Sequence, residues 1–385
     1  MGLPRFAYAF GIEEEYFLIE RRTRELASEP AEKLLGECKA VLAEQFSAEY
    51  QRSQVEVATN VCSSPGESRT ELRRLRSTVI GVSNRYGLAP IAASTHPLAR
   101  WGTQRHTDKQ RYNTIADDLQ VLGRRMVAGG MHVHVGIDDN DERIGVVNGL
   151  RAFLPLLLAL STSSPFCQGE NTVLKSYRTA INDATPRNGM PEAFTSWSQY
   201  ENTINLLVRA GVIRDASQVW WDLRPSARFP TVELRITDVC PLIEDAVCIA
   251  TLFRCLCRCL HRRILSGERS PNIALLLLNE NRWRAQRYGL DGGFIDPEGG
   301  RLRSTREVID AVLDLIRDDA EFFGSRREAD HARLILERGT SADRQLALYQ
   351  DLLGNGATST DALEAVIDSL VVETGAKLND QKVVA

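Results

Sequence analysis

Four β-prone segments of this chain each carry two polar or charged residues that are two positions apart. Alternate residues of a strand point to the same face, so the members of each pair share a face. The segment AGGMHVHVGI, residues 128–137, places His132 and His134 in this way, although the chain has only six histidines. The same spacing joins Glu13 to Glu15, Gln54 to Glu56, and Glu233 to Arg235.

Two explanations fit such pairs. One strand with charged residues on one face is unremarkable where that face meets bulk water, as it does in many antiparallel sheets. Four such strands, each set among Val, Ile, Leu, Phe or Tyr, instead favour one shared cavity. Glutamate and histidine are also not favoured on strand surfaces. The shared face would contain Glu13, Glu15, Glu56, His132, His134, Glu233 and Arg235.

Several carboxylates in one cavity would raise one another's pKa unless cations balanced them. Residues i and i+2 of a strand lie about 6.6 Å apart, so two carboxylates could bind two neighbouring ions or converge on one. Glutamate oxygens with few nitrogens and no thiolates favour Mg²⁺ or Mn²⁺ over zinc. Mg²⁺ at such sites completes its coordination with water and substrate phosphates. The pattern therefore indicates handling of a nucleoside triphosphate.

The segment WWDLRPSARFPTVELR, residues 220–235, supplies Arg224, Arg228 and Arg235. Arginine matches phosphate and carboxylate oxygens with two parallel hydrogen bonds. The sequence contains no Walker A loop, GxGxxG motif or kinase signature. A nucleotide would therefore be held by metals, arginines and strands. Salt bridges at a solvated strand end are the alternative explanation for these arginines.

Residues 162–190 are rich in Ser, Thr, Asn, Pro and Gly, and include Tyr177, Arg178 and Arg187. A loop of this length is usually functional or disordered. We expect it to cover the cavity as a lid. An ordinary surface loop would explain the same composition.

Strand patterns dominate residues 1–240 and helical patterns dominate residues 241–375. This order predicts an α+β fold, with an antiparallel sheet and helices on one side, in a single domain over residues 1–385. Strands are predicted near 6–20, 49–61, 88–94, 129–137, 217–223 and 231–239. Helices are predicted at 30–45, 63–87, 141–161, 191–211, 243–266, 271–289, 304–318, 326–338, 341–353 and 360–374.

The net charge of −4 indicates neither a nucleic-acid nor a membrane partner. The N-terminus does not resemble a signal peptide, and the apolar segment 150–161 is short and contains Pro155. A cytoplasmic location is expected. The eight cysteines are predicted to be free thiols, because Cys255, Cys257 and Cys259 could not converge on one ion from a single helix.

Five segments, in order from about residue 8 to residue 290, resemble the carboxylate–amine ligases of the glutamate–cysteine ligase type 2 family. They are GIEEEYFLIE, GMHVHVGI, SPFCQGENTVLKSYR, WWDLRPSARFPTVELRITDV and NENRWRAQRYGLD. The segment GMHVHVGI is also similar to the histidine strand of glutamine synthetases. The covering loop departs from the family pattern GxDTGYxSYR at Asn171 and Val173. Because of this departure, the identity of the substrate stays open. The residues predicted to bind the metal ions and ATP are not affected.

The resemblance implies a glutamine synthetase-like fold, whose curved antiparallel sheet forms a funnel with helices outside it. It implies an ATP-dependent ligase that uses Mg²⁺ or Mn²⁺, with glutamate and cysteine as reference substrates, and a homodimer. The implied metal ligands are Glu13, Glu15, Glu56, His132 and Glu233. His134 and Arg224 would lie near the nucleotide. Arg235 would face the transferred phosphate, and Arg178 and Arg228 would grip phosphate or the substrate carboxylate. Tyr177 is a substrate-binding candidate, and Arg235, Glu233 and Arg178 are the catalytic candidates.

Three other functions remain open from the sequence. A phosphagen-type kinase on the same fold would stop after phosphoryl transfer to a guanidine. A zinc amidohydrolase is suggested by the His-x-His pair. Such enzymes usually need further metal-binding histidines, and the available ones, His96 and His106, lie in a predicted loop. A nucleotide-binding protein without catalysis is the third alternative.

Overall fold

The computed structural model describes residues 7–268, 271–376 and 378. The main sheet has seven strands, and two short hairpins lie apart from it. The strands within these residues are β1 (Phe10–Glu20), β2 (Phe46–Ala48), β3 (Gln54–Ala58), β4 (Leu88–Ile91), β5 (Met131–Gly136), β6 (Phe166–Cys167), β7 (Glu170–Asn171), β8 (Leu223–Pro225), β9 (Thr231–Leu234), β10 (Phe294–Ile295) and β11 (Leu302–Arg303).

Of the α-helices in the same part of the chain, eight lie before the last strand of the main sheet and seven lie after it. They are α1 (Glu32–Leu42), α2 (Pro65–Arg85), α3 (Gln110–Leu119), α4 (Val121–Arg125), α5 (Asn140–Leu150), α6 (Leu154–Ser161), α7 (Tyr177–Asp183), α8 (Trp197–Arg209), α9 (Ile243–Leu265), α10 (Leu275–Tyr288), α11 (Thr305–Leu315), α12 (Arg317–Phe322), α13 (Arg326–Arg338), α14 (Ser341–Gly354) and α15 (Ser359–Thr374).

The long strand β1 organises the main sheet, whose order is β2-β3-β1-β5-β9-β8 with β4 also paired to β1. One edge of β1 pairs with β3 along Glu13–Phe17. The other edge pairs with β5 along Phe10–Glu14 and then with β4 along Phe17–Glu20. All these pairings are antiparallel. Because side chains alternate, Glu13 and Glu15 share one face of this strand.

The opposite face of β1 carries a buried ion pair. Glu14 and Arg76 of α2 both have fully buried side chains, and Arg76 Nε donates to Glu14 at 2.9 Å. The Tyr16 hydroxyl also donates to this carboxylate. Arg76 reaches further, to the carbonyl oxygens of Cys240 and Pro241. Removing one partner of a buried pair typically costs about 3–5 kcal/mol. This network therefore ties β1, α2 and the segment that precedes α9 together.

One apolar core draws on both the strand-rich and the helical part of the chain. Its centre is α9, which packs against α2, α5, α6, α12, α13 and strand β5. Cys255, Cys257 and Cys259 of α9 are buried, and all eight cysteines are free thiols, as the sequence predicted. The helices therefore cover the face of the sheet that is opposite to Glu13 and Glu15.

The structure corrects several predicted elements. The strand predicted at 217–223 is wrong, because residues 216–218 form a 3-10 turn and β8 begins only at Leu223. The short strand β2 was not predicted. The helix predicted at 141–161 is divided by a 3-10 turn at Arg151–Phe153, next to Pro155, which cannot donate a helical hydrogen bond. The loop 162–190 contains β6, β7 and α7.

The stretch Asn140–Ser161 is long and apolar enough to cross a membrane, with a mean hydropathy of 1.7. However, 78% of this window is buried inside the protein. Burial of this extent is typical of a core helix, which must be apolar on every side.

His96 generates a prediction about stability. Its ring is 2% exposed, and Nε2–H donates to the carbonyl of Arg24 at 2.9 Å, while Leu98 N–H donates to Nδ1 at 3.1 Å. Burial lowers the pKa of His96 from 6.5 to about 4. The unfolded chain therefore binds more protons between these values, and stability falls as the pH drops through this window.

We expect this histidine to lower the free energy of unfolding by about 2 kcal/mol between about pH 7 and pH 5. The replacement His96→Asn should remove that contribution. Urea unfolding of both proteins across this range measures the difference. If the free energies of unfolding of wild type and variant differed by the same amount at every pH, the role of His96 would be contradicted.

Candidate active site

The strand register brings the polar pairs of four strands onto one face. Glu13 of β1 lies opposite His132 of β5, and Glu15 lies opposite Glu56 of β3. His134 lies opposite Glu233 of β9. The shared face that the period-two pattern predicts is therefore present in the structure.

This face forms the floor of a cavity of about 600 Å³. Its walls come from α3, from α7, and from the segment that leads into and out of β8. The predicted site residues that line it are Glu13, Glu15, Glu56, His132, His134, Arg178, Arg224, Arg228, Glu233 and Arg235. Tyr177 is the one predicted site residue outside the lining. A cavity of this size can bury a nucleotide or a similar ligand.

A first group of possible metal ligands consists of Glu13, Glu56 and His132, whose ligand atoms all lie within 4.8 Å of one another. His132 Nδ1 lies 3.1 Å from Glu13 Oε2, and His134 Nε2 lies 3.5 Å from Glu13 Oε1. Burial alone would raise the pKa of Glu13, but the hydrogen bonds to both imidazoles hold it well below its usual range. Burial and the Arg235 charge lower the pKa of His132 to about 4. A neutral imidazole and an ionised carboxylate can both bind a cation.

A second group consists of Glu15, Glu49 and Glu56, again within 4.8 Å. Burial and the charge of Glu49 raise the pKa of Glu15 to about 7, and burial and the neighbouring carboxylates raise that of Glu56 well above its usual range. A divalent cation would remove this repulsion. Carboxylate oxygens with one imidazole nitrogen form a donor set that suits Mg²⁺ or Mn²⁺. The residues present therefore fit the predicted ions.

Glu49 is a site residue that the sequence did not predict. It follows the three-residue strand β2, and its N–H donates to the Gln54 carbonyl at 3.2 Å, so the pairing with β3 continues past the strand. Ser47 and Glu49 have the same two-residue spacing as the other pairs. That spacing was the available signal, but the strand is too short to be recognised by pattern.

Glu233 belongs to neither group of metal ligands. Both of its oxygens accept from Arg224, at 2.9 Å each, and Arg235 donates to it at 2.5 Å. Burial raises the pKa of Glu233, but these two arginines outweigh it and lower the pKa. The metal-ligand role predicted for Glu233 stays a prediction. In this structure the carboxylate holds two arginines in place at the cavity.

Arg178 is buried, and its guanidinium donates to the carbonyls of Ile236 at 3.0 Å and Arg235 at 2.9 Å. It lies directly against Gly130, where a Cβ atom would overlap the guanidinium. The absence of a side chain at Gly130 thus leaves room for this arginine. Its bonds hold the backbone that carries Arg235, which makes Arg178 a positioning residue in this structure rather than a free binding group.

Arg228 has the opposite setting. It is exposed at the cavity mouth, with its guanidinium 5.3 Å from the centroid of the Phe229 ring. It forms no ion pair among the described residues, so it is free to bind an anionic group. Tyr177 begins α7 and lies outside the cavity lining, so its predicted contact with substrate stays a prediction.

The first half of the loop 162–190 is fixed at two points by Asp238, a residue that the sequence did not identify. Ser164 Oγ donates to Oδ2 of this buried carboxylate at 2.8 Å, and Ser176 Oγ donates to Oδ1 at 2.9 Å. Asn171 accepts the Val173 N–H at 2.9 Å, as an aspartate at that position could. Val173 has φ of 63°, which explains the glycine preferred there in the family pattern. Neither departure lines the cavity, and the lid role stays a prediction.

Arg282 of α10 connects two of the quoted segments. It donates to Asp222 at 2.5 Å and to Asp183 of α7 at 2.7 Å. The carbonyl of Asp222 in turn accepts the N–H groups of Arg235 and Ile236. Sequence reasoning did not assign these residues. Arg282 and Asp183 lie outside the cavity lining and hold Asp222, which is part of that lining.

The second ligand group predicts the effect of one substitution. Glu49→Gln should weaken Mn²⁺ binding about tenfold or more, because the amide removes a negative charge and a strong ligand atom. Electron paramagnetic resonance of free Mn²⁺ measures bound ions in a titration. The matched control is Glu44→Gln, an exposed carboxylate on the same segment. Equal affinities in wild type and Glu49→Gln would remove Glu49 from the site.

Comparison with known proteins agrees with this geometry. Residues 9–369 match the model of the family described as Glutamate-cysteine ligase family 2. A protein of Rhodospirillum rubrum, whose curated name is a provisional glutamate–cysteine ligase 2, is 48% identical over 376 residues, and the match covers 97% of each chain. A protein of Jannaschia sp. with the same name is 44% identical over 365 residues, covering 94% of this chain and 96% of that one.

Solved structures share the fold at low sequence identity. The glutamate–cysteine ligase of Francisella tularensis, in complex with AMP, is 12% identical with a TM-score of 0.71, covering 99% of this chain and 91% of that one. The bifunctional glutathione synthetase of Pasteurella multocida is also 12% identical, with a TM-score of 0.67, covering 94% and 52%. These matches confirm the predicted α+β, glutamine synthetase-like architecture.

The sequence match over nearly the whole chain and the acidic, arginine-flanked cavity lead to one conclusion. The chain belongs to glutamate–cysteine ligase family 2, and it is an ATP-dependent ligase that forms carbon–nitrogen bonds.

Proposed function

We propose that the cavity binds ATP with divalent cations and joins a carboxylate to an amine through an acyl phosphate, with glutamate and cysteine as the nominal substrates. One observation carries this proposal. Two groups of three metal-ligand side chains share Glu56 on one face of the sheet. Arg224 and Arg235 stand beside them, held by Glu233.

Glu13, Glu56 and His132 would hold one Mg²⁺ or Mn²⁺ ion, and Glu15 and Glu49 would hold a second one with the shared Glu56. When bound, such ions neutralise charge on the phosphate oxygens of ATP. His134 lies beside the first group. Burial lowers its pKa, but its contact with Glu13 outweighs burial and raises it, so that it can donate a hydrogen bond to an anionic ligand.

Arg235 would stabilise the transferred phosphoryl group. Its guanidinium lines the cavity, and the contact with Glu233 and the bonds of Asp222 to the adjacent backbone restrict its movement. Preorganised charge of this kind stabilises a transition state without reorganisation during the reaction. Arg224 is held by Glu233 and by the carbonyl of Ser217 at 3.1 Å. Arg228, at the mouth, is the freer cation for a substrate carboxylate.

The reaction would proceed in two steps. An oxygen of the substrate carboxylate forms a bond to the γ-phosphorus of ATP while the bond from phosphorus to the bridging oxygen breaks, which releases ADP. The amine nitrogen then attacks the acyl carbon, the bond from that carbon to the phosphate oxygen breaks, and phosphate leaves. The amine loses a proton in this step. Water must be excluded meanwhile, and residues 162–190 are proposed as the cover.

The other candidate functions have less support. The comparisons give no support to a phosphagen-type kinase or an amidohydrolase. His96 is buried with both ring nitrogens bonded to backbone groups, and His106 contacts Asn113 at 3.0 Å. Neither histidine lines the cavity next to His132. The cytoplasmic location and the homodimer remain proposals from the sequence.

Two substitutions test the roles of the arginine group. Arg235→Ala and Glu233→Gln should each lower turnover on the order of 10²-fold, because each disturbs a preorganised electrostatic stabiliser. Folding, followed by circular dichroism, should change little. The control is Arg22→Ala, which removes an exposed arginine. Normal turnover of ATP in either site variant, with acceptor present, would contradict these roles.

A screen of ADP release tests the reaction itself. Amino acids are supplied in pairs with ATP and either Mg²⁺ or Mn²⁺, and ADP and the condensed product are measured together. We expect ADP release to require both a carboxylate donor and an amine, and to stop with a chelator. A stable phosphorylated product formed without an amine would indicate the kinase instead. Hydrolysis that needs no ATP would indicate the amidohydrolase.

A further inference from the structure

A second cavity lies on the helical side of the molecule, apart from the active-site cavity. Its volume is about 150 Å³. It is bounded by the end of α5, the turn that follows it, the second half of α9 and the start of α10. Much of its lining is apolar, from Phe153, Leu260, Ile264, Ile273 and Leu278. No residue of this cavity lines the active site.

Arg151 is the exceptional residue of this second cavity. It is 7% exposed, and its Nε atom is buried without a hydrogen-bond partner. Within residues 7–268, 271–376 and 378, its guanidinium forms no hydrogen bond or ion pair. Glu192 is the acidic residue whose charge acts on it, from beyond ion-pair distance. An uncompensated buried cation is costly, so such a group is normally paired.

Arg143 provides a comparison from the same apolar stretch. It is 3% exposed, and its guanidinium donates to the carbonyls of Ile137 and Asp138 at 2.9 Å each. Its burial is therefore compensated by the fold itself. Two buried arginines thus lie between residues 140 and 161, and among the described residues the fold provides hydrogen-bond acceptors for the guanidinium of Arg143 only.

The other polar groups of the cavity already have partners. The Asn148 side chain donates to the Phe194 carbonyl at 2.7 Å and accepts from the Phe194 N–H at 3.2 Å. Arg263 pairs with Glu268 at 3.2 Å. Arg151 is therefore the group through which a ligand of this cavity would be bound.

We propose that this cavity binds a small aliphatic carboxylate of about six or seven non-hydrogen atoms, with the carboxylate on Arg151 and the alkyl group against the apolar wall. The size follows from the volume, since an apolar cavity of about 150 Å³ accepts a ligand of the size of benzene. The charge follows from the guanidinium. Branched four- and five-carbon acids such as isobutyrate and isovalerate combine both properties.

The test uses isovalerate as the probe and isovaleramide, its neutral isostere, as the ligand control. Thermal unfolding and calorimetric titration are measured on the full chain. Isovalerate should raise the melting temperature and bind saturably, whereas isovaleramide should do neither. Arg151→Met should weaken isovalerate binding at least about tenfold, because a charge-assisted hydrogen bond is lost. Without ligand this variant should be no less stable than wild type.

Three further variants complete the test. Arg209→Met removes an exposed arginine and should bind isovalerate normally. Arg235→Ala should also bind it normally, since the active-site arginines are not involved. Ile273→Phe should fill the cavity and block binding, which keeps the test decisive if Arg151→Met does not fold. Equal binding of the amide, retention in Arg151→Met or Ile273→Phe, or loss in Arg235→Ala would each overturn the proposal.

Discussion

The central strand β1 carries three consecutive glutamates, and the structure depends on their division between two environments. Glu14 points into the core, where Arg76 neutralises it in full burial. Glu13 and Glu15 point into the cavity on the other face. A buried pair of this kind stabilises one register only, because a slip of one residue would place Glu13 or Glu15 in the core without a partner. The position of the carboxylates in the cavity is thus set from beneath the sheet.

Charge in the active-site cavity is divided into an acidic part and a basic part. The strands β1, β3 and β5 and the end of β2 supply carboxylates and imidazoles that face one another. The segment from β8 to Arg235 supplies arginines, and Glu233 lies between the two parts with its oxygens on the arginine side. Metal ions would balance the first part, and anionic substrates would balance the second. This division suits a reaction in which a phosphoryl group moves between two anions.

Two residues that support this arrangement, Asp238 and Arg282, do not line the cavity. Asp238 holds Ser164 and Ser176 of the loop 162–190, and Arg282 joins Asp222 to Asp183. Buried networks whose members are all satisfied specify one arrangement of the surrounding backbone. Arg151 differs from these groups, because its buried Nε atom in a separate cavity has no hydrogen-bond partner within the described part of the chain.

The sequence by itself determined which side chains share a face, because the two-residue period of a strand leaves no other choice. It also determined the family, through long ordered motifs, and the α+β order of the elements. The tertiary structure alone decided which of these side chains meet. Glu49 joins the site only because β2 pairs with β3, and Glu233 turns to the arginines because Arg224 on the neighbouring strand lies opposite to it. The periodicity of a strand fixes the face to which each side chain points. The distances between strands and helices depend instead on packing between segments that are far apart in the sequence.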